Sequence, residues 1–263
     1  MLWSNPNLWQ SLFVILAIGI AFNVVGTLLM TTAGPGAHLA PDNDLRGSKL
    51  GFLEPITSLV AVFVLSMSWI QYNEVVGRVQ RETTTLILLK ESAAQFSEPT
   101  RSRVLGAMTV YVEAVIGPEW LAMAANGRSE VAGQALDALV RSCGAAEART
   151  PRDESLARFL VPVVRRLNDD REGRLHATTF ELREPLLVLL DIAVVLSIIF
   201  IWAFGYPTMR TKLIMGTLYT SGLMLVVFMV SLLSHPFRGP LAVSNDAYAN
   251  ILQEIAQPVD ALP

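Results

Sequence analysis

Apolar residues in this chain are concentrated in four long windows. The windows cover residues 8–31, 52–71, 186–205 and 212–234, and the first of them contains no charged residue. A helix needs about 20 mostly apolar residues to cross the roughly 30 Å hydrocarbon core of a bilayer. The pattern therefore predicts four transmembrane helices. The first window is too long, and its start too poor in basic residues, for a cleaved signal peptide.

The segment between the second and third windows, residues 72–184, shows apolar positions at the spacings of three and four that are typical of amphipathic helices. The first such stripe consists of Val79, Thr83, Leu86, Leu89, Ala93 and Phe96. No strong helix-breaking residue separates this stripe from the second window. We therefore expect the second span to continue out of the membrane as a single helix.

Turn and capping residues divide the rest of this segment into further helices. Ser97 is the expected N-cap of a helix with Pro99 in its first turn, and Gly117-Pro118 is the expected stop. Ser129 and Thr150-Pro151 are the expected starts of two more helices. After the fourth window, a short amphipathic helix is predicted from the stripe Tyr248, Ile251, Leu252 and Ile255.

Composition agrees with a membrane protein that carries a polar insert. Hydrophobic residues make up 52% of the chain and charged residues 16%, whereas soluble domains average about 25% charged residues. The net charge of −3 argues against a nucleic-acid partner. A single cysteine permits no intrachain disulfide and no cysteine-based metal site.

The basic residues near the ends of the four windows favour one orientation. Six arginines flank the segment 72–184 and the tail, against four basic residues in the two opposite loops. Those six are Arg78, Arg81, Arg171, Arg174, Arg183 and Arg238; the four are Arg46, Lys49, Arg210 and Lys212. The positive-inside rule then places the insert and both termini in the cytoplasm of a multi-pass protein of the cell (inner) membrane.

Motifs of enzyme chemistry are absent from the sequence. The three histidines, His38, His176 and His235, are dispersed and lie near no carboxylate pair at metal-ligand spacing. No nucleotide-binding or nucleophile motif is present. We expect no enzymatic activity, no cofactor and no metal site.

Several short motifs, in a fixed order over almost the whole chain, resemble a bacterial membrane family of unknown function called bestrophin-like. Arg81-Glu82 follows the second span, and Pro99, Tyr111 and Glu119-Trp120 come next. Arg171-x-x-Arg174-Leu175 then precedes Pro185, which opens the third span. The ending His235-Pro236-Phe237-Arg238-Gly239 follows the fourth span, with a histidine where the family commonly has an acidic residue.

True bestrophins are pentameric, mainly anion-conducting channels with four spans per subunit and a cytoplasmic helical domain, and their second span lines the pore. The resemblance implies a homo-oligomer, with a pentamer as one option, that conducts small inorganic ions through an axial pore. Leu59, Phe63, Ser66 and Ile70 share one face of the second span. Phe63 or Ile70 could form an apolar constriction and Ser66 could bond a passing ion. Ordinary helix–helix packing is the alternative role for this face.

Five charged residues are predicted to lie near the inner mouth of such a pore. Arg81, Glu82, Arg171 and Arg174 could pair with one another and fix helix register. Asp191, in the third span, could set ion preference, pair with Arg183 or Arg81, or simply reach the headgroups. In the tail motif, Pro236 should end the fourth span, Gly239 should permit a reversal and Phe237 should anchor at the interface. His235 could titrate near neutral pH, although a bystander role is more common for a lone histidine.

The sequence thus predicts an all-α integral membrane protein with a helical cytoplasmic domain between spans two and three. The expected divisions are 1–71 and 185–234 for the two transmembrane pairs, 72–184 for the cytoplasmic domain and 235–263 for the tail. The function expected from the resemblance is an ion channel. A non-conducting membrane scaffold whose helical domain binds a partner remains the alternative.

Overall fold

The structure is a computed structural model, and it describes residues 8–32, 51, 53–146, 150–176, 183–202 and 206–256. Within these ranges the chain forms helices and no strand. The loop charges Arg46 and Lys49, and the histidine His38, lie outside the described residues. The predicted all-helical fold is confirmed for the part of the chain that is described.

The helices follow the apolar windows and stripes of the sequence. They are α1 (Leu8–Thr32), α2 (Leu53–Ala93), α3 (Thr100–Ala114), a π-helical turn (Val115–Glu119), α4 (Trp120–Ala124), α5 (Glu130–Gly144), α6 (Pro151–His176), α7 (Arg183–Trp202), α8 (Met209–Leu233) and α9 (Asp246–Ala256). The second window and the stripe after it form one continuous helix, α2, as predicted. At 1.5 Å per residue its 41 residues measure about 60 Å, twice the thickness of a bilayer core.

Five helical segments in the described ranges are long and apolar enough to cross a membrane. Four of them correspond to the predicted spans: Leu8–Thr32, Glu54–Ala93, Glu184–Trp202 and Met209–Leu233. The fifth is Thr100–Ala124, which the sequence pattern assigns to the helical insert. Length and composition alone therefore give five candidate spans where four are predicted.

The chain divides into two compact units. The first comprises Met1–Tyr72 and Glu181–Leu241, and the second comprises Asn73–Phe180 and Ala242–Pro263. The core of the first unit is formed by Ala61 and Val64 of α2, by Leu190, Val194 and Ile198 of α7, and by Val230 of α8. In the second unit, α3 packs on α5 and on α9, and α5 packs on α6.

Two predicted helix boundaries are wrong, for identifiable reasons. The helix expected to start at Ser97 starts at Thr100, because the Ser97 hydroxyl bonds Asp153, while the Glu98 carboxylate accepts the Ser102 backbone N–H instead. The stop expected at Gly117-Pro118 is also wrong, because the chain continues as the π-helical turn into α4. A wider turn accommodates a proline ring that would clash with the carbonyl four residues earlier.

The other predicted caps are confirmed. The Ser129 hydroxyl accepts the backbone N–H of Ala132 at the start of α5. At the start of α6, the Thr150 hydroxyl accepts the Asp153 N–H and the Asp153 carboxylate accepts the Thr150 N–H, both at 3.1 Å. These reciprocal bonds satisfy amide groups that have no partner inside the helix.

Candidate functional site

The four predicted pore-lining residues lie on one exposed face of α2. Leu59 is 71% exposed, Phe63 53% and Ile70 59%, and Ser66 is also exposed. The opposite side of the same helix segment buries Ala61 and Val64 in the core of the first unit. Nothing within the described chain covers the predicted face.

The same face continues uncovered along the whole of α2. Positions spaced three and four residues apart stay within one side of a helix. None of the residues at these positions is buried: Leu59, Phe63, Ser66, Ile70, Asn73, Gly77, Arg81, Thr84, Leu88 and Glu91. We call this set the open face of α2. In contrast, Val75, Val79, Leu86 and Leu89 on the other side are almost fully buried.

Four charged side chains form a buried cluster in the second unit. The Arg174 Nε atom donates to Oε2 of Glu82 at 2.6 Å, and Arg174 Nη2 donates to Oε1 of Glu119 at 2.9 Å. Arg171 Nη2 donates to Oε2 of Glu119 at 2.8 Å, and the Tyr111 hydroxyl donates to Oε1 of Glu82 at 2.6 Å. Two carboxylates and two guanidinium groups balance each other, as a low-dielectric interior requires. We call the four charged residues, together with Tyr111, the buried charge cluster.

Aromatic rings complete the surroundings of Arg174. Its Cζ atom lies 5.8 Å from the ring centroids of both Trp120 and Tyr248, within the range of a cation–π contact. Burial by itself lowers the pKa of Arg174, but its neighbours together, with the Glu82 carboxylate first among them, outweigh this effect and raise the pKa well above its ordinary value. Burial and the Glu82 carboxylate also raise the pKa of Tyr248 well above its usual range. Arg174 therefore stays charged and Tyr248 stays neutral at any physiological pH.

The five residues of the cluster come from four elements. Glu82 comes from the buried side of α2, Tyr111 from α3 and both arginines from α6. Glu119 is the last residue of the π-helical turn, which brings its carboxylate within reach of both arginines. Next to the cluster, the Thr85 hydroxyl of α2 donates to Asp170 of α6 at 2.9 Å. The cluster joins α2, α3 and α6 by charge-assisted bonds.

The five predicted inner-mouth charges thus lie in different surroundings. Glu82, Arg171 and Arg174 belong to the buried charge cluster. Arg81 is exposed on the open face of α2, where its Nε atom bonds the Gly77 carbonyl at 3.2 Å. Asp191 is exposed on α7 in the first unit. The side chain of Arg183, its suggested partner, lies outside the described residues.

No role for Glu119 or Tyr111 was predicted from the sequence, in which both served only as landmarks of a resemblance. A charged residue within a buried stripe is the signal that could have indicated the cluster, as Glu82 between Val79 and Leu86 illustrates. Glu119 gives no such signal. It ends the π-helical turn, which has more residues per turn than an α-helix, so regular α-helical spacing does not predict that its side chain is buried.

The tail motif forms the turn that was predicted after the fourth window. Helix α8 ends at Leu233, and Gly239 has a φ of 77°, a left-handed conformation that glycine adopts without steric cost. Phe237 is buried, and the Nδ1 atom of His235 lies 3.0 Å from the Ser231 carbonyl oxygen. Beyond the turn, α9 packs within the second unit through Tyr248, as its amphipathic stripe predicts.

Metal-binding residues are not grouped in the described ranges, which hold no set of three or more histidine, cysteine or acidic residues placed to bind an ion. The arrangement is therefore one of helix packing, buried ion pairs and a long uncovered helix face.

Comparisons with known proteins place the chain in a family. No curated protein matches it significantly. The family profile described as Bestrophin-like domain matches residues 17–248. This range extends from α1 to Tyr248 and contains both the open face of α2 and the buried charge cluster. The chain belongs to the Bestrophin-like domain family.

Proposed function

We propose that this protein is a homo-oligomeric ion channel of the cell membrane in which α2 of each subunit lines a central pore. Membership of the Bestrophin-like domain family supports the functional class. The observation that carries the proposal is the open face of α2, which stays uncovered over the length of a 41-residue helix. Rotational symmetry would bring identical open faces together around one axis.

The proposed topology has four spans. They are α1, the first part of α2, α7 and α8, so that the second unit and both chain termini share the cytoplasmic side. Thr100–Ala124, the fifth apolar segment, is assigned to the cytoplasmic domain because it buries one side against α5 and α9 and contributes Glu119 to the buried charge cluster. It is also interrupted by a π-helical turn that contains Pro118.

Along the proposed pore, mainly apolar rings would come first, and polar and charged rings would follow. Rings of Phe63 and Ile70 would form constrictions that gate by losing water, and Ser66 between them would offer a hydroxyl. Further along the open face, Arg81 would form a ring of positive charge, which favours anions. Asn73 and Thr84 would add polar side chains on either side of that ring.

Recordings of the purified protein in planar bilayers test this proposal. We expect Phe63→Ala to raise the unitary conductance, because it widens an apolar constriction, and Arg81→Gln to lower the permeability ratio of chloride to sodium. The matched control is Arg141→Gln, an exposed arginine of α5 that lies off the open face. Absence of conductance from both the native chain and Phe63→Ala would overturn the proposal and leave the scaffold role.

A further inference from the structure

A groove of about 510 Å³ lies between α5 and α6 in the second unit. Its floor is apolar and consists of the buried Cys143 from α5 and Val164 from α6, and the exposed Val140 and Val161 line its sides. The volume falls within the range of about 300–1,000 Å³ typical of small-molecule sites. No residue of α2 lines the groove, so the proposed pore does not account for it.

The rim of the groove carries charged side chains that have no partner among the described residues. Asp137 of α5 and Arg165, Asn168 and Asp169 of α6 line it, and their side chains make no ion pair or hydrogen bond with other described residues. The neighbouring Asp170 differs, because it accepts the Thr85 hydroxyl. Two carboxylates against one guanidinium group give the rim a net negative charge.

An apolar floor below a negatively charged rim suits one kind of ligand. The carboxylates attract a cationic group at the rim, and the valine side chains bury an apolar body without a hydrogen-bond requirement. A metal ion would need more ligands than these two carboxylates provide. We propose that this groove binds a small organic cation with an apolar body.

Gly144, at the last turn of α5, offers a way to block the groove. It lines the groove, and a Cβ atom built on it would meet no other atom within 4 Å. A larger side chain is therefore accommodated without a clash in the fold. Gly144→Leu should occupy part of the groove and leave α5 intact.

Cys143 provides a direct readout, because it is the only cysteine in the chain and lies in the floor of the groove. Burial raises the pKa of its thiol to about 12, so its alkylation is slow at neutral pH. The experiment measures the rate at which N-ethylmaleimide modifies Cys143 in the full-length protein in detergent, by mass spectrometry. The two probes are benzyltrimethylammonium, a cation, and benzenesulfonate, an anion of similar size.

We expect the cation to slow alkylation in a saturable manner, by about tenfold at ten times its dissociation constant, and the anion to have no effect. The double variant Asp137→Asn/Asp169→Asn and the variant Gly144→Leu should each lose the protection. Glu113→Gln, which removes an exposed carboxylate of α3 outside the groove, should keep it.

Three results would overturn the proposal: equal protection by both probes, no protection by the cation, or protection that survives the double asparagine variant. A thiol that reacts only after the protein is dissociated into single subunits would also overturn it, because a neighbouring subunit would then fill the groove. The readout does not depend on conduction, so it remains informative whether or not the protein is a channel.

Discussion

Arg174 is the residue on which the buried charges of the second unit converge. Its guanidinium group is fully buried and bonds the carboxylates of Glu82 and Glu119. Burying such pairs carries a desolvation cost that can cancel their attraction, so the net contribution of the intact cluster to stability is small. Removing one member is different, because it leaves an unpaired charge in the interior. The cluster therefore enforces one arrangement of the helices that meet there.

Replacing Arg174 by methionine tests this view at the residue scale. Methionine has a similar length but no charge, so Arg174→Met leaves Glu82 without its charged partner. We expect a loss of about 3–5 kcal/mol in the free energy of unfolding, measured as a lower midpoint of thermal unfolding in detergent.

The matched control for this prediction is Arg158→Met, on the same helix. Arg158 pairs with Glu154 at the surface, with side-chain exposures of 77% and 56%, and such a pair contributes less than about 1 kcal/mol. Equal thermal shifts for the two variants would show that the buried charge cluster has no special role.

Part of this cluster was predictable from the sequence. Arg171 and Arg174 follow Leu160, Val164 and Leu167 on α6 at spacings of three and four, and all five residues are buried. From the sequence, Arg81, Glu82, Arg171 and Arg174 could pair with one another. In the structure Glu82 pairs with Arg174, whereas Arg171 pairs with Glu119 and Arg81 bonds the Gly77 carbonyl. The participation of Glu119 could not be predicted, because the π-helical turn that positions it follows no periodicity visible in the sequence.

At the scale of elements, α1 approaches both α7 and α8 closely through glycine, at Trp202 of α7 and at Gly216 of α8. A Cβ atom on Gly216 of α8 would lie 2.8 Å from Oδ1 of Asn23, and one on Gly26 of α1 would lie 2.0 Å from the Trp202 ring. The Trp202 Nε1–H donates to Oδ1 of Asn23 at 3.2 Å. Small residues and polar contacts of this kind hold helices together in lipid, where the hydrophobic effect between helices is absent.

Gly216→Val tests this contact, because a valine side chain would displace Asn23 and separate α1 from α8. We expect a destabilisation of about 1–3 kcal/mol, as for other overpacked contacts, again measured by thermal unfolding in detergent. Gly222→Val, on the same helix, meets no atom within 4 Å at the added Cβ and should leave the midpoint unchanged. A Gly216→Val protein as stable as the native chain would contradict the close approach.

Element boundaries were predictable where side chains cap a helix and unpredictable where tertiary contacts compete. Ser129 has the backbone of its own helix as partner, so its capping role follows from local sequence. The Ser97 hydroxyl instead bonds Asp153, a residue 56 positions further along the chain. The continuity of α2 was predictable because no proline interrupts it after its first turn.

At the scale of the whole molecule, composition and the four apolar windows indicated a membrane protein, and the family assignment agrees with that conclusion. The number of spans is less well determined by sequence, because Thr100–Ala124 is also long and apolar enough to cross. Its apolar residues serve a different purpose: Val104, Met108 and Val112 are buried in the second unit. Apolar content alone does not distinguish burial in lipid from burial in protein.

In the proposed channel, the open face of α2 faces an axis shared by several copies of the chain. The most direct test is the mass of the purified protein in detergent, determined by light scattering with correction for bound detergent. The account predicts a single species whose protein mass is an integral multiple, three or more, of the 28.8 kDa chain. A stable monomer at 28.8 kDa would contradict it, because the open face would then have no axis to line.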